Sequence, residues 1–197
     1  MRYSSDHKAE TRERVLKEAA KEIRAKGPAN VGVAGIMARA GLTHGGFYAH
    51  FASKDALVKE AIGTMFADAR ARTERIDPEG DPRAVLRAYV DFYLSPAHRD
   101  SRDRGCPLPT LSGDFARSQP ATRSRFGEGV VGIAGRLAAP LAKLGHADAP
   151  AESHALLAQL VGAVALARAV GDPALSDAML ADAHASIVRR YGLETAQ

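Results

Sequence analysis

The sequence predicts an all-α fold of about nine helices, and three observations carry that prediction. Apolar residues recur at helical spacing in one segment after another, and no stretch shows sustained period-two alternation of β-branched residues. Clusters of Gly, Pro and Asp-Pro separate the segments. The chain has 197 residues, 46% of them hydrophobic and 25% charged, which is globular rather than disordered composition. That length suits one compact body or a small module fused to a larger one. The single cysteine, Cys106, excludes an intrachain disulfide framework and every multi-Cys zinc module.

In chain order, Val15, Leu16, Ala19, Ala20 and Ile23 form the first apolar stripe, and Gly27-Pro28 stops it. Ile36, Met37 and Ala40 predict a second, short helix ending at Gly41. Ser53 is placed to cap a longer amphipathic helix through Leu57, Val58, Ala61, Ile62, Met65 and Phe66. The break Asp77-Pro78-Glu79-Gly80-Asp81-Pro82 follows, with Pro82 in the first turn of a helix carried by Val85, Leu86, Tyr89, Val90, Tyr93 and Leu94. Residues 95–105, polar and rich in Arg and Asp, read as a loop.

Helix resumes near Cys106 or Pro107 and runs to about Arg117. A long segment from Ala121 to Leu144 is interrupted by glycines and by Pro140, which is expected to kink it. Glu152 to Val170 is apolar nearly all round. Ser176 to Tyr191 puts Met179, Leu180, Ala183, Ile187, Val188 and Tyr191 on one face.

Net charge is +4, and all of that excess lies in the first third. Residues 1–61 hold 11 Lys+Arg against 7 Asp+Glu, whereas residues 62–197 hold 16 of each. That asymmetry is what contact with a polyanion would produce, although surface lysines are more often simply solvated. The N-terminus is polar and charged, unlike a secretory signal. The longest weakly polar run, Ala155 to Ala167, contains Gln159 and is shorter than the roughly 20 residues that a membrane-spanning helix needs. A cytoplasmic protein is expected.

The stretch Ala34 to Leu57 carries the most information. Two short helices meet at Ala40-Gly41-Leu42-Thr43: Gly41 suits the positive φ of a tight corner, Leu42 plugs the core and Thr43 caps the next helix. This is helix-turn-helix grammar, in which the second helix enters the DNA major groove. Phe47 and Phe51, four apart, face inward. Tyr48 and His50 point elsewhere and can offer O–H and N–H groups to phosphate oxygens. Lys54 brings a cation to a helix N-terminus.

Ile36, Ala40-Gly41-Leu42-Thr43, Gly45, Phe47-Tyr48, His50-Phe51, Ser53-Lys54 and Leu57 together resemble the DNA-binding domain of the TetR family of bacterial transcriptional repressors, over about residues 10–60. The resemblance implies a helix-turn-helix domain over 1–52 and a helical ligand-binding and dimerisation domain over 53–197. Thr43, His44, Gly45 and Gly46 would begin the recognition helix, with Tyr48, His50 and Lys54 on the sugar-phosphate backbone. Two positions depart from the family pattern. Gly32 stands where a Ser or Thr usually caps the second helix, and Gly46 replaces a common Thr or Ser.

The resemblance further implies double-stranded DNA as partner, a homodimer through the last two helices, an unidentified small-molecule effector, and no reaction, cofactor or metal. The run Leu160 to Val170 is rich in small residues, which lets helices approach closely; a buried helix within one chain is the other reading.

Cys106 sits at an expected helix start, with Arg99, Arg102 and Arg104 near it in sequence, and both features favour thiolate. Gly105-Cys106 followed by Leu111 and Asp114 resembles the subset of the family whose cysteine senses electrophiles or oxidants; a small buried hydrophobe is the plainer alternative. Tyr89, Phe92, Tyr93, Phe115, Phe126 and Arg168 are candidates to line a pocket. His98, His146, His154 and His184 show no metal-ligand spacing. The function expected is a TetR-like repressor that binds a pseudo-palindromic operator and is released by a small-molecule or electrophile effector. The alternative is a thiol-dependent helical enzyme or carrier protein.

Overall fold

Nine α-helices and one short 3₁₀ helix make up the described residues. The structure, a computed structural model, describes residues 2–73, 76 and 80–194, with side chains from residue 6 onward. Helix α1 (Arg2–Lys26) packs on α3 (Lys54–Thr73), with α2 (Val33–Arg39) and the 3₁₀ helix (His44–Ala49) across its far half. Val15, Ala19, Ala20 and Ile23 are buried in that contact, as the stripe predicts. Helix α3 starts where Ser53 caps it, its Oγ accepting from the Ala56 N–H at 3.1 Å. It then runs out of this head to pack on α7, so one rigid rod joins head and body.

The body stacks α7 (Pro120–Lys143) against α8 (Ala149–Ala169), and α8 against α9 (Pro173–Tyr191). Helix α4 (Pro82–Tyr93) packs on α7 and α9, and α6 (Leu108–Ala116) packs on α7 and α8. Asp81, Asp148 and Asp172 each accept a backbone N–H at a helix start that carries Pro in its first turn, a combination that satisfies orphan donors and pre-sets φ. Of the predicted break at 77–82, residues 77–79 lie outside the described residues.

The structure corrects four expectations. Residues 95–105 are not all loop: Pro96–Asp100 form α5, because Ser95 caps His98 N–H at 3.1 Å and Pro96 fixes the first turn. The glycines of Ala121–Leu144 do not interrupt the segment, which is one helix with Pro140 inside it. Gly129 belongs there for packing, since a Cβ at that position would overlap the Phe66 ring. Thr43 occupies the N-cap position of the 3₁₀ helix, yet its hydroxyl makes no capping bond. Cys106 lies ahead of α6, which begins at Leu108.

Candidate nucleic-acid interface and ligand cavity

The corner forms as its sequence requires. Gly41 has φ +71°, its N–H donates to Ala38 O at 3.0 Å, and Leu42 N–H reaches Met37 O at 2.9 Å, closing the end of α2 with a left-handed residue that only glycine adopts cheaply. Leu42 is partly buried against the core. The recognition helix expected after the corner forms as a 3₁₀ helix. Gly46 N–H bonds Thr43 O at 3.1 Å and His50 N–H bonds Phe47 O at 2.9 Å, the three-residue step of a tighter helix. Paired glycines favour this outcome, since each costs an α-helix about 1 kcal/mol relative to Ala.

Phe47 and Phe51 are buried and stacked, with ring centroids 5.7 Å apart, and Arg12 from α1 lies over Phe51 at 4.9 Å. Arg12 also pairs with Glu60 of α3, so the aromatic lock joins α1, α3 and the corner. On this base the side chains expected to meet DNA stand at the surface. Thr43, His44 and Gly45 are exposed, Gly46 is partly so, and Tyr48 is 72% exposed, the most exposed large apolar side chain described. His50 is half-buried with Nδ1 enclosed and unpartnered, which leaves any phosphate contact to Nε2. Lys54, in the first turn of α3, makes no ion pair among the described residues. Gly32 sits exposed at the N-cap of α2 without a side-chain cap. No Cβ would clash at Gly45, and at Gly46 it would meet Met37 in ordinary contact, so packing does not demand either glycine.

Cys106 lies in a different setting from the one its neighbours in sequence suggest. It is buried, its N–H donates to His98 Nε2 at 3.0 Å, and burial pushes its thiol up, against the direction expected from a helix start and nearby arginines. The nearby arginines are engaged elsewhere. Arg99 pairs with Asp100 and Asp177, Arg102 bonds Arg168 O, and Arg104 lies beside Asp103. Because His98 Nε2 accepts, its Nδ1 carries the proton and donates to Tyr93 O at 2.7 Å.

Burial lowers the His98 imidazole to about 4. A base held neutral in the fold but free to protonate when unfolded contributes stability above pH 6.5 and loses it as pH falls toward 4. Between pH 7.5 and 5 the loss is expected to be about 2 kcal/mol. Urea unfolding of wild type and His98→Gln at both pH values measures it, and the variant's stability should vary less across that interval.

Of the predicted pocket residues, Tyr89, Phe92 and Tyr93 do line voids. Arg168 lines a separate void with Arg99 and Ser176, its guanidinium donating to Arg99 O, His98 O and Thr110 Oγ1, whereas Phe115 and Phe126 pack ring against ring in the core at 4.7 Å. The cavity holds about 170 Å³ between α3, α4 and α7, walled by Val85, Leu86, Leu137 and Pro140, with Tyr89, Arg136 and Lys143 at its edge. Arg72, Arg136 and Lys143 are not evident as pocket residues in the sequence, because they line these voids only once α3 and α7 pack. No cluster of His, Cys, Asp or Glu that could hold a metal occurs among the described residues, and no described helix is long and apolar enough to cross a membrane.

Residues 15–61 match the family model described as bacterial regulatory proteins, tetR family. A TetR-family transcriptional regulator from Cytophaga hutchinsonii superposes with a TM-score of 0.80 over 97% of this chain and 98% of its own, at 20% identity. The reduced form of E. coli NemR gives 0.79 over 91% and 96%, at 22% identity. A TetR transcriptional regulator from Chloroflexus aurantiacus J-10-FL gives 0.78 over 93% and 97%, at 25% identity. No curated protein matches the sequence. The matched segment is the one that folds into the glycine corner and aromatic lock, and the likeness in fold to these TetR-family regulators extends over the helical body.

Proposed function

We propose that the chain is a dimeric transcriptional repressor that holds a pseudo-palindromic operator through Thr43–His50 and lets go when a small molecule occupies the body. The observation that carries this reading is the combination of an exposed Tyr48 and a Lys54 that makes no ion pair among the described residues with a buried Phe47–Phe51 base. A rigid apolar support under an exposed polar edge is what backbone gripping and groove reading require. In this reading residues 1–52 read DNA, residues 53–197 bind effector and partner, and α3 links the two.

Dimerisation through α8 and α9 is supported by what those helices leave open. Leu166 and Leu175 are 58% and 47% exposed, beside the exposed small residues Ala155, Ala158, Ala178 and Ala181. Two heads so joined should meet half-sites about 34 Å, or a multiple of that, apart. Cys106 enters this reading as a wall of the effector crevice, beside Tyr93.

Selection of bound sequences from random duplex DNA by the purified chain tests the proposal. An inverted repeat with helical-turn spacing is expected. Lys54→Gln should weaken binding to all selected sequences alike and flatten the slope of log affinity against log salt by about 1 per head. Failure to retain any duplex at low salt, with turnover of a thiol-reactive substrate, would favour the enzyme or carrier reading instead.

A further inference from the structure

Resting on the effector-binding reading, we propose that the cavity between α3, α4 and α7 takes a small carboxylate with a monocyclic aromatic or branched aliphatic body, its acid group lodged between Arg136 and the Tyr93 hydroxyl. Size sets the body. The void holds about 170 Å³, and an apolar cavity of about 150 Å³ is known to accept benzene. Val85, Leu86, Leu137 and Pro140 give it apolar walls, which suit a hydrocarbon body and offer nothing to a sugar or a nucleotide.

The head group follows from two further observations. A crevice of about 10 Å³ adjoins the cavity and shares Thr73, Tyr89 and Arg136 with it; Tyr93 and Cys106 form part of its wall. Tyr93 is 1% exposed, and its hydroxyl has no nitrogen or oxygen partner, only the Cys106 thiol beside it, so it can donate to an oxygen entering from the cavity side. The crevice has room for about one such atom. The charge around the two voids is of one sign: Arg72 and Arg136 line the crevice, Arg136 and Lys143 line the cavity, and no described carboxylate lines either. Arg136 forms no ion pair among the described residues, so its guanidinium is available to an anion. A cation entering here meets like charges, and an anion is the guest that Arg136 can pair with.

Calorimetry and thermal shift on the full chain, without DNA, test this with three probe acids: benzoate, phenylacetate and 3-methylbutanoate. Each acid is compared with its amide and with an amine of the same body. At least one acid should bind saturably and at least tenfold more tightly than its amide, with no binding of the amine. Arg136→Gln should weaken that acid at least tenfold and leave the amide unchanged; as Arg136 is exposed, the variant folds. Tyr93→Phe removes only a hydroxyl whose neighbour is the weakly bonding Cys106 thiol, and should also weaken the acid while leaving Tm nearly unchanged. Equal binding of acid and amide, indifference to Arg136→Gln, or no binding by any of the acids overturns the proposal. Because DNA is absent, those results leave the DNA-binding reading untouched. An acid that binds as described yet does not release DNA strikes the effector reading and spares the ligand class.

Discussion

Alanine at position 47 is expected to lower the stability of the chain by about 3–5 kcal/mol, the range for removing a buried phenyl ring, and to abolish DNA retention with it. Phe47 is almost fully buried, lies edge-on to Tyr48 at 5.2 Å and is stacked on Phe51. The segment that carries it is held by three-residue hydrogen bonds and contains two glycines, so the ring rather than the backbone fixes its shape. The loss cannot be absorbed locally, because Phe51 is already held between Phe47 and Arg12. Tyr48→Ala is the matched control: its side chain is exposed, so stability should move by no more than about 0.5 kcal/mol while DNA affinity falls. Urea unfolding followed by circular dichroism, paired with DNA titration, separates the two effects. A loss below about 1 kcal/mol for Phe47→Ala would show that the lock does not hold the corner.

What could be read before folding depended on the range over which each interaction acts. The Gly41 corner and the Ser53 cap are closed by atoms within five residues, so local sequence is enough to specify them. Helix α5 is equally local, but its polar composition hides a Ser-Pro start that places His98 in the core. Glycines in α7 look like breaks in one dimension; Gly129 is instead the place where Phe66 of α3 crosses, while Gly132 and Gly135 face open space. At Cys106 the plainer reading, a small buried hydrophobe, matches the burial, while the thiolate tendency expected from nearby arginines is opposed because that proximity in sequence does not survive folding. The groups that enclose it, His98 and Tyr93, come from α5 and α4, and burial outweighs the remaining positive charge. The cavity's cations share this origin, with Arg72 on α3 and Arg136 and Lys143 on α7.

Arg24 was the least legible residue of all, and substituting it gives the second large expected effect. In an Arg- and Lys-rich helix it reads as a solvated charge, yet it is 1% exposed. Its guanidinium donates to Met65 O at 3.2 Å, to Asp68 at 2.7 Å and to Asp103 O at 3.0 Å, leaving Nε without a partner. One side chain therefore fastens the end of α1 to α3 and to the loop leading into Cys106. Removing it leaves carbonyls and a carboxylate to find new donors. Asp68 is 39% exposed and can return to water, which keeps the loss below the 3–5 kcal/mol of a fully enclosed pair. For Arg24→Met a cost of about 1–3 kcal/mol is expected, and Arg24→Lys should not restore it, since one ammonium cannot span three acceptors. These bonds tie the loop that leads into Cys106, itself part of the crevice wall, to the end of α1 in the head. If effector and DNA are coupled by the usual 1–3 kcal/mol, about 5- to 150-fold in affinity, Arg24→Met should cut that ratio severalfold while changing DNA affinity without effector far less. Titrations of operator with and without a saturating ligand measure both quantities, and an unchanged ratio would place the coupling elsewhere, along α3 alone.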